Sequence, residues 1–398
     1  MMISESGHFK VKKERDTKIL EEKKQTPHWS HFSLQKQVML QDTSNTSRSQ
    51  ERVQRGWWSA VPLEPTRLAV SLCPTPLMRA KSIAACVLVT VLGAASPAHG
   101  FLLGALAPRH SARGLRGGAV ALDMQVRRVL VTGANKGIGL ATAEKLLCDF
   151  PDCHVLLGAR SAARGEAAVR DLLAKHPSAA GRVDLLELDV SSDESVSRAA
   201  DKVAATFGTE PAPLWGIINN AGIGFGYSLS ETLATNSYGP HRVTAAMLPL
   251  IEPKGGRIVN IASASGPMFV SRVSGEWRRV FTDEDVSWAE IEKTMQEALN
   301  GAFEGDPYGF SKACLNAYTR WLAKQHPNLV VNSCSPGWIN TDLTKGMGAS
   351  NPPSKGAPVP ADLVMGEPKG PGFYFGSDGV RSPLDCYRGP GDPPYLGD

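Results

Sequence analysis

The chain has 398 residues, 42% hydrophobic and 21% charged, a balance that supports a large buried core and excludes collagen-like, wholly disordered and multi-span membrane classes. The net charge of +4 is unevenly placed: residues 1–126 carry 17 Lys and Arg against 9 Asp and Glu, and residues 127–398 carry 26 against 30. The larger part is therefore acidic, which argues against nucleic acid as its partner. Seven cysteines without a CxxC pair and nine scattered histidines without HExxH spacing give neither a disulfide framework nor a zinc site. The thiols are read as reduced and the chemistry as needing no metal.

Residues 1–77 form a polar extension. At Met78-Arg79-Ala80-Lys81 two positive charges precede the apolar run from Ile83 to Ala95, and small, weakly polar residues follow through Gly100. This is the layout of a secretory signal, placed internally. Either translation begins at Met78 and the first 77 residues lie outside the protein, or the segment serves another purpose. The next stretch, from Phe101, carries Arg109, Arg113 and Arg116 with no acidic residue before Asp123. Residues 78–125 together resemble the bipartite presequences that address proteins to plastids with extra envelope membranes, so a plastid location is expected. The alternatives are a cytoplasmic protein and a single membrane anchor over 83–107, a run interrupted by Ser96, Pro97 and His99.

From Arg127 the pattern becomes regular. Short apolar strands are expected at 128–132, 154–158, 183–188, 214–218, 257–261 and 329–333, with helical stretches between them, and Phe373-Tyr374-Phe375 is expected as a final edge strand. Near-continuous apolar strands alternating with helices predict a parallel sheet covered on both faces. One domain over 126–398 holds them all. The chain after Lys345 is dense in Pro and Gly, with residues 361–364 and 373–375 as its packed pieces.

The first strand runs into Thr132-Gly133-Ala134-Asn135-Lys136-Gly137-Ile138-Gly139. Glycines at 133, 137 and 139 permit a tight turn and close approach of backbone to a diphosphate, and the helix that follows brings a favourable dipole. Alone, such a loop is compatible with packing only. Further along stand Asn219-Asn220-Ala221-Gly222, Ser263, Tyr308 and Lys312 in Tyr-x-x-x-Lys spacing, and Pro336-Gly337. In that order these motifs resemble the short-chain dehydrogenase/reductase family. The 44 residues between Ser263 and Tyr308, and Cys334-Ser335-Pro336-Gly337-Trp338 with Thr341-Asp342, are most similar to the monomeric carbonyl reductases. In those proteins a comparable insertion covers the surface that other members use for tetramers, so a monomer is implied.

The resemblance implies an α/β fold: a single Rossmann-like three-layer domain whose mostly parallel, seven-stranded sheet runs in the order 3-2-1-4-5-6-7. It implies reduction of an aldehyde, ketone or quinone with NADPH, Tyr308 protonating the oxygen. An unassisted phenol has a pKa near 10, so Lys312, four residues on, is expected to lower it and to bind the nicotinamide ribose. Ser263, rather than the nearby Ser265, is expected to hydrogen-bond the substrate oxygen, and Asn236 to help hold the lysine and a proton-relay water. The cofactor is expected along Gly133, Asn135, Lys136, Gly137, Ile138, Gly139, Asn219, Ala221, Gly222, Tyr308, Lys312, Pro336 and Gly337. Asp189 and Val190 are expected to flank the adenine, and Ile339 and Thr341 to enclose the nicotinamide amide. Where NAD-selective sites carry an acid, this sequence has Gly158-Ala159-Arg160, so Arg160 and Lys136 are expected to meet the 2′-phosphate of NADP+. One departure stands out: only 12 residues separate Gly222 from Thr235, which predicts a shortened helix before Asn236. Two other readings remain, a dedicated biosynthetic reductase and a member that binds dinucleotide or protein without turnover.

Overall fold

Strands that are apolar at successive positions must bury both faces, and the sheet does so. In the computed structural model, which describes residues 126–397, the strands are β1 (Arg127–Val131), β2 (Cys153–Ala159), β3 (Val183–Glu187), β4 (Leu214–Asn219), β5 (Arg257–Ile261), β6 (Val330–Cys334), β7 (Tyr374–Phe375) and β8 (Arg381–Ser382). They are ordered β3-β2-β1-β4-β5-β6-β7-β8. The first seven pair in parallel as expected, and β8 adds an antiparallel edge, so residues 374–375 form the penultimate strand rather than the last. The turn glycine Gly379, at φ +73°, lets the chain reverse there. The polar extension (1–77) and the targeting segment (78–125) lie outside the described residues. Among the described residues no helix is long and apolar enough to cross a membrane.

The helices are α1 (Gly137–Asp149), α2 (Ala162–Lys175), α3 (Asp193–Phe207), α4 (Leu229–Asn236), α5 (Tyr238–Met247), α6 (Ser265–Val270), α7 (Gly275–Thr282), α8 (Trp288–Glu297), α9 (Pro307–Gln325) and α10 (Pro358–Met365). Strand alternation divides the core in two. Val129, Val131, Val155 and Leu157 pack with Leu146 of α1, Leu172 of α2 and Val364 of α10. Leu130, Leu156 and Ile217 face the other way, onto Val203 of α3, Met247 of α5 and Tyr318 of α9. Each such apolar side chain contributes about 1.5–3 kcal/mol on burial. The shortened helix α4 is nonetheless well started: Ser228 accepts from Glu231 N while the Glu231 carboxylate accepts from Ser228 N.

The insertion between Ser263 and Tyr308 builds a third core. Its helix-forming stretch is interrupted, because Thr282 ends α7 and a second capping box, Ser287 with Glu290, starts α8. Val280, Phe281, Ile291 and Met295 pack against Phe310, Ala313 and Ala317 of α9. Trp288 closes the layer, its ring stacked on His241 of α5 at 4.0 Å and 5°, while His241 meets Tyr318 edge-on at 5.5 Å. Burial, and then the neighbouring Arg242, push the His241 imidazole down to about 4. The unfolded chain titrates this group near 6.5. Between those values the unfolded state binds a proton that the folded state refuses, so the stability due to His241 is complete above about pH 6.5 and declines as pH falls toward 4. Thermal melts of His241→Phe should therefore lose less Tm than the parent between pH 7 and pH 5. Equal losses would refute a buried neutral imidazole.

Candidate active site

Every element that ends at the carboxyl edge of the sheet delivers one part of the site. After β1 the chain turns through Gly133 and Gly137, at φ +63° and +58°, into α1. A Cβ on Gly139 would lie 2.4 Å from Asn220 Nδ2 and 2.7 Å from Gly133 O, and one on Gly133 would lie 2.8 Å from Ala221 Cα. The loop is thus held against the turn after β4. The Thr132 hydroxyl accepts from both Asn220 N and Ala221 N at 3.0 Å, and Asn220 Nδ2 donates to Thr132 O at 2.9 Å. At the start of α1, Lys136 provides no side-chain cap and the first turn holds no acid. Free amide groups at a helix N-terminus beside glycines form a cradle for an anion, so the residues present fit a dinucleotide diphosphate.

The expected cofactor residues do not all point the same way. Arg160 is exposed at the end of β2. The exposed Lys136 ammonium pairs with the Asp342 carboxylate, joining the glycine loop to the loop after β6. There Gly137 faces Thr341, whose Cγ2 lies 3.5 Å from where a Cβ would sit. Asp189 accepts from Ser191 N and Oγ; burial raises its carboxyl, but these bonds, with Arg160 and Arg242, hold it below the usual range. Val190 is buried against Gly239, and Ile339 is buried with Ile138 around Gly356. Asn219 Nδ2 donates inside the sheet to Thr244 Oγ1 and Asn260 Oδ1, while its Oδ1 is buried without a partner. Asn135, Pro336 and Gly337 are half-buried; Gly337, at φ +93°, makes the turn that brings Trp338 to the surface.

Helix α9 carries the reactive pair. Asp306 caps it, its carboxylate accepting from Tyr308 N at 3.0 Å and Gly309 N at 2.9 Å, and Pro307 occupies the first helical position. Tyr308 and Lys312 are both buried one turn apart, with Lys312 Nζ 5.6 Å from the Tyr308 ring centroid. The Ser263 hydroxyl, at the end of β5, is held by Ser265 N and Oγ and acts on the phenol to lower it. Burial outweighs Ser263 and pushes the phenol up to about 12, and Asp306 pushes in the same direction. The net shift of the phenol is thus upward, against the lowering expected from Lys312, with burial the largest cause. The Lys312 ammonium donates instead to Ile261 O at 2.7 Å, and burial brings it down to about 8.

Asn236 is fully buried beside the loop after β4. Its Oδ1 accepts from Ile223 N at 2.9 Å, and its Nδ2 donates to Ile223 O and to Ser311 Oγ. It fixes the loop beside Gly222 rather than Lys312 directly; a Cβ on Gly222 would stand 3.3 Å from Asn236 Oδ1 and 3.7 Å from Lys312 Nζ. Residues not singled out from sequence complete the site. Ser311 links Tyr308 O to Asn236, and Phe225, 46% exposed, lies 5.2 Å from the Tyr308 ring. Asp306-Pro307 was a legible helix start. Phe225 carried no such signal, because an exposed aromatic in a loop has no periodicity.

A glycine-cradled helix start and a buried Ser–Tyr–Lys group at the carboxyl edge of a parallel sheet define a dinucleotide-binding α/β protein. The family model described as short chain dehydrogenase matches residues 127–275. Carbonyl reductase (NADPH) 1 of Macaca fascicularis is 32% identical over 263 residues, covering 60% of this chain and 91% of that protein. Carbonyl reductase (NADPH) 3 of Rattus norvegicus is 31% identical over 262 residues, with 60% and 91% covered. Salutaridine reductase from Papaver somniferum superposes with a TM-score of 0.54 at 26% identity, covering 63% of this chain and 99% of its own. Menthone neomenthol reductase from Mentha piperita gives 0.53 at 26%, with 63% and 98% covered. The chain belongs to the short-chain dehydrogenase/reductase family.

Proposed function

We propose that the protein is an NADPH-dependent reductase of aldehydes, ketones or quinones. The observation that carries this reading is the buried Tyr308 phenol, one helical turn from Lys312 and kept protonated at neutral pH, as a proton donor requires. The printed names of the carbonyl reductase relatives support it. Bound NADPH would supply hydride to the carbonyl carbon. Ser263 would hold the carbonyl oxygen, and its hydrogen bond would strengthen as that oxygen gains charge. Tyr308 would release its proton to the same oxygen. Lys312, charged below about pH 8, would favour the phenolate left behind, and Asn236 and Ser311 would keep the helix and loop in register. Phe225, exposed beside the Tyr308 ring, gives the site an apolar edge suited to an uncharged carbonyl compound. NADPH oxidation measured across a panel of aldehydes, ketones and quinones tests the reading; no turnover on any of them would reject it.

Arg160 is the exposed cation at the end of β2 and is proposed to bind the 2′-phosphate. A charge-assisted pair of this kind contributes about 1.5–3 kcal/mol. Arg160→Ala should weaken NADPH binding roughly tenfold to a hundredfold and leave NADH nearly unchanged, as read by cofactor fluorescence titration. Equal losses for both cofactors would remove Arg160 from that role. The cover that Trp288 and α8 place over α5 supports a monomer. A plastid address in residues 78–125 is proposed from the sequence alone.

A further inference from the structure

We infer that Asp342 is a cofactor-specificity residue: its carboxylate stands at the ammonium of Lys136 and opposes the 2′-phosphate that distinguishes NADPH from NADH, so this acid limits how strongly the site prefers the phosphorylated cofactor. This rests on the reading of Lys136 and Arg160 as the cations around that phosphate. The ion pair joins residues 206 apart in sequence, one in the glycine loop after β1 and the other in the loop after β6. The neighbours of Asp342 hold it there. Thr341, before it, lies along the glycine loop, its Cγ2 3.5 Å from where a Cβ on Gly137 would sit. Leu343, after it, covers Gly224 so closely that a Cβ there would meet its Cγ at 2.4 Å. The Thr344 hydroxyl ties the turn between them, accepting from Thr341 N at 3.0 Å and donating to Ile339 O at 2.5 Å. The backbone that carries the carboxylate is thus anchored to the loops after β1 and β4 together.

Electrostatics fix the sign of the effect. An ammonium has three donors and can meet a carboxylate and a phosphate together, but two acceptors sharing it stand within about 6 Å of each other. At that range like charges repel even where water screens them. Asp342 therefore acts against a 2′-phosphate in two ways, by offsetting the charge of Lys136 and by repelling the anion directly. Lys345, three residues on, is the other cation that acts on Asp342, and it acts less than Lys136. The diphosphate and the nicotinamide half are common to both cofactors. Any effect of Asp342 on those parts cancels in the ratio of the NADH to the NADPH dissociation constant, which leaves the 2′-phosphate alone in view.

The test is that ratio, measured by cofactor fluorescence titration at low salt in Asp342→Asn, Asp342→Lys and Asp342→Glu. The Asp342 side chain is exposed, so the three substitutions leave the core intact. Asp342→Asn removes the charge and should raise the ratio about threefold to tenfold, by tightening NADPH. Asp342→Lys reverses the charge and should raise it further, and Asp342→Glu keeps the charge and should stay within about twofold of the parent. A ratio unchanged or lowered in Asp342→Asn overturns the inference. So does a rise in Asp342→Glu as large as in Asp342→Asn, because the effect would then follow shape and not charge. Lys136→Gln separates the two levels. If it leaves the ratio unchanged, Lys136 does not meet the 2′-phosphate, and that reading fails and takes this one with it. If it lowers the ratio while Asp342→Asn does not raise it, this inference alone fails.

Discussion

Tyr308→Phe should lower kcat for carbonyl reduction by about a thousandfold, within the 10²–10⁴ range of a positioned proton donor, and change NADPH affinity by no more than about threefold. The ring's surroundings explain the split. Phe keeps the tilted contact with Phe225 at 5.2 Å and the Lys312 ammonium at 5.6 Å, so the pocket wall survives. What disappears is the buried hydroxyl, and with it the proton proposed to reach the substrate oxygen. The check pairs steady-state NADPH oxidation on the best substrate of the panel with a cofactor titration of the same preparation. A kcat within tenfold of the parent would mean that another group protonates the oxygen. A matching collapse in NADPH affinity would mean that the variant had damaged the cleft instead.

Gly139→Ala has an expected sign opposite to the one helix propensity gives. By propensity alone, Ala in place of Gly stabilises a helix by about 1 kcal/mol. Here the added Cβ would fall 2.4 Å from Asn220 Nδ2, 2.7 Å from Gly133 O and 3.0 Å from Ala134 Cα. None of these can retreat freely: Gly133 O and Ala134 Cα are backbone, and Asn220 Nδ2 is already bonded to Thr132 O. The loop must open, and a buried bond lost there costs roughly 1–3 kcal/mol. A lower Tm and an NADPH Kd raised at least tenfold are the expected result, from a thermal melt and a fluorescence titration. A higher Tm with unchanged affinity would show that the close approach is not required.

Much of this was legible in the chain because the signals are local or strictly periodic. Apolar runs such as Val129-Leu130-Val131 fixed the strands to within a residue or two, and the glycine spacing placed the turn after β1. Tyr308 and Lys312 could be put on one helical face from their separation alone. What the spacing could not supply is the direction in which a charged side chain points. Lys136 had a phosphate as its obvious partner, yet Asp342, 206 residues further on, claims it in the fold. Lys312 was expected to act on the phenol and is turned toward Ile261 O, a backbone acceptor invisible in a motif. The direction of the Tyr308 shift was missed for a related reason: burial outweighed the nearby cation, and the depth of burial is a property of the whole packing. The eighth strand escaped notice because two residues in a Pro- and Gly-rich tail carry no period.

The cap on α9 also bears on how this protein can be shortened or grafted. Asp306 lies among the last residues of the 44-residue interval between Ser263 and Tyr308, so the tether that carries the aromatic layer also ends in the clasp of the helix that carries Tyr308. A loop deletion that trims the interval from its carboxyl end would remove the clasp with the ornament. One that keeps 305–308 and cuts within the stretch from α7 to α8 would leave the clasp and expose Tyr318 and His241 instead. The two deletions thus give different failures, one in chemistry and one in solubility, and an engineer can choose which to repair.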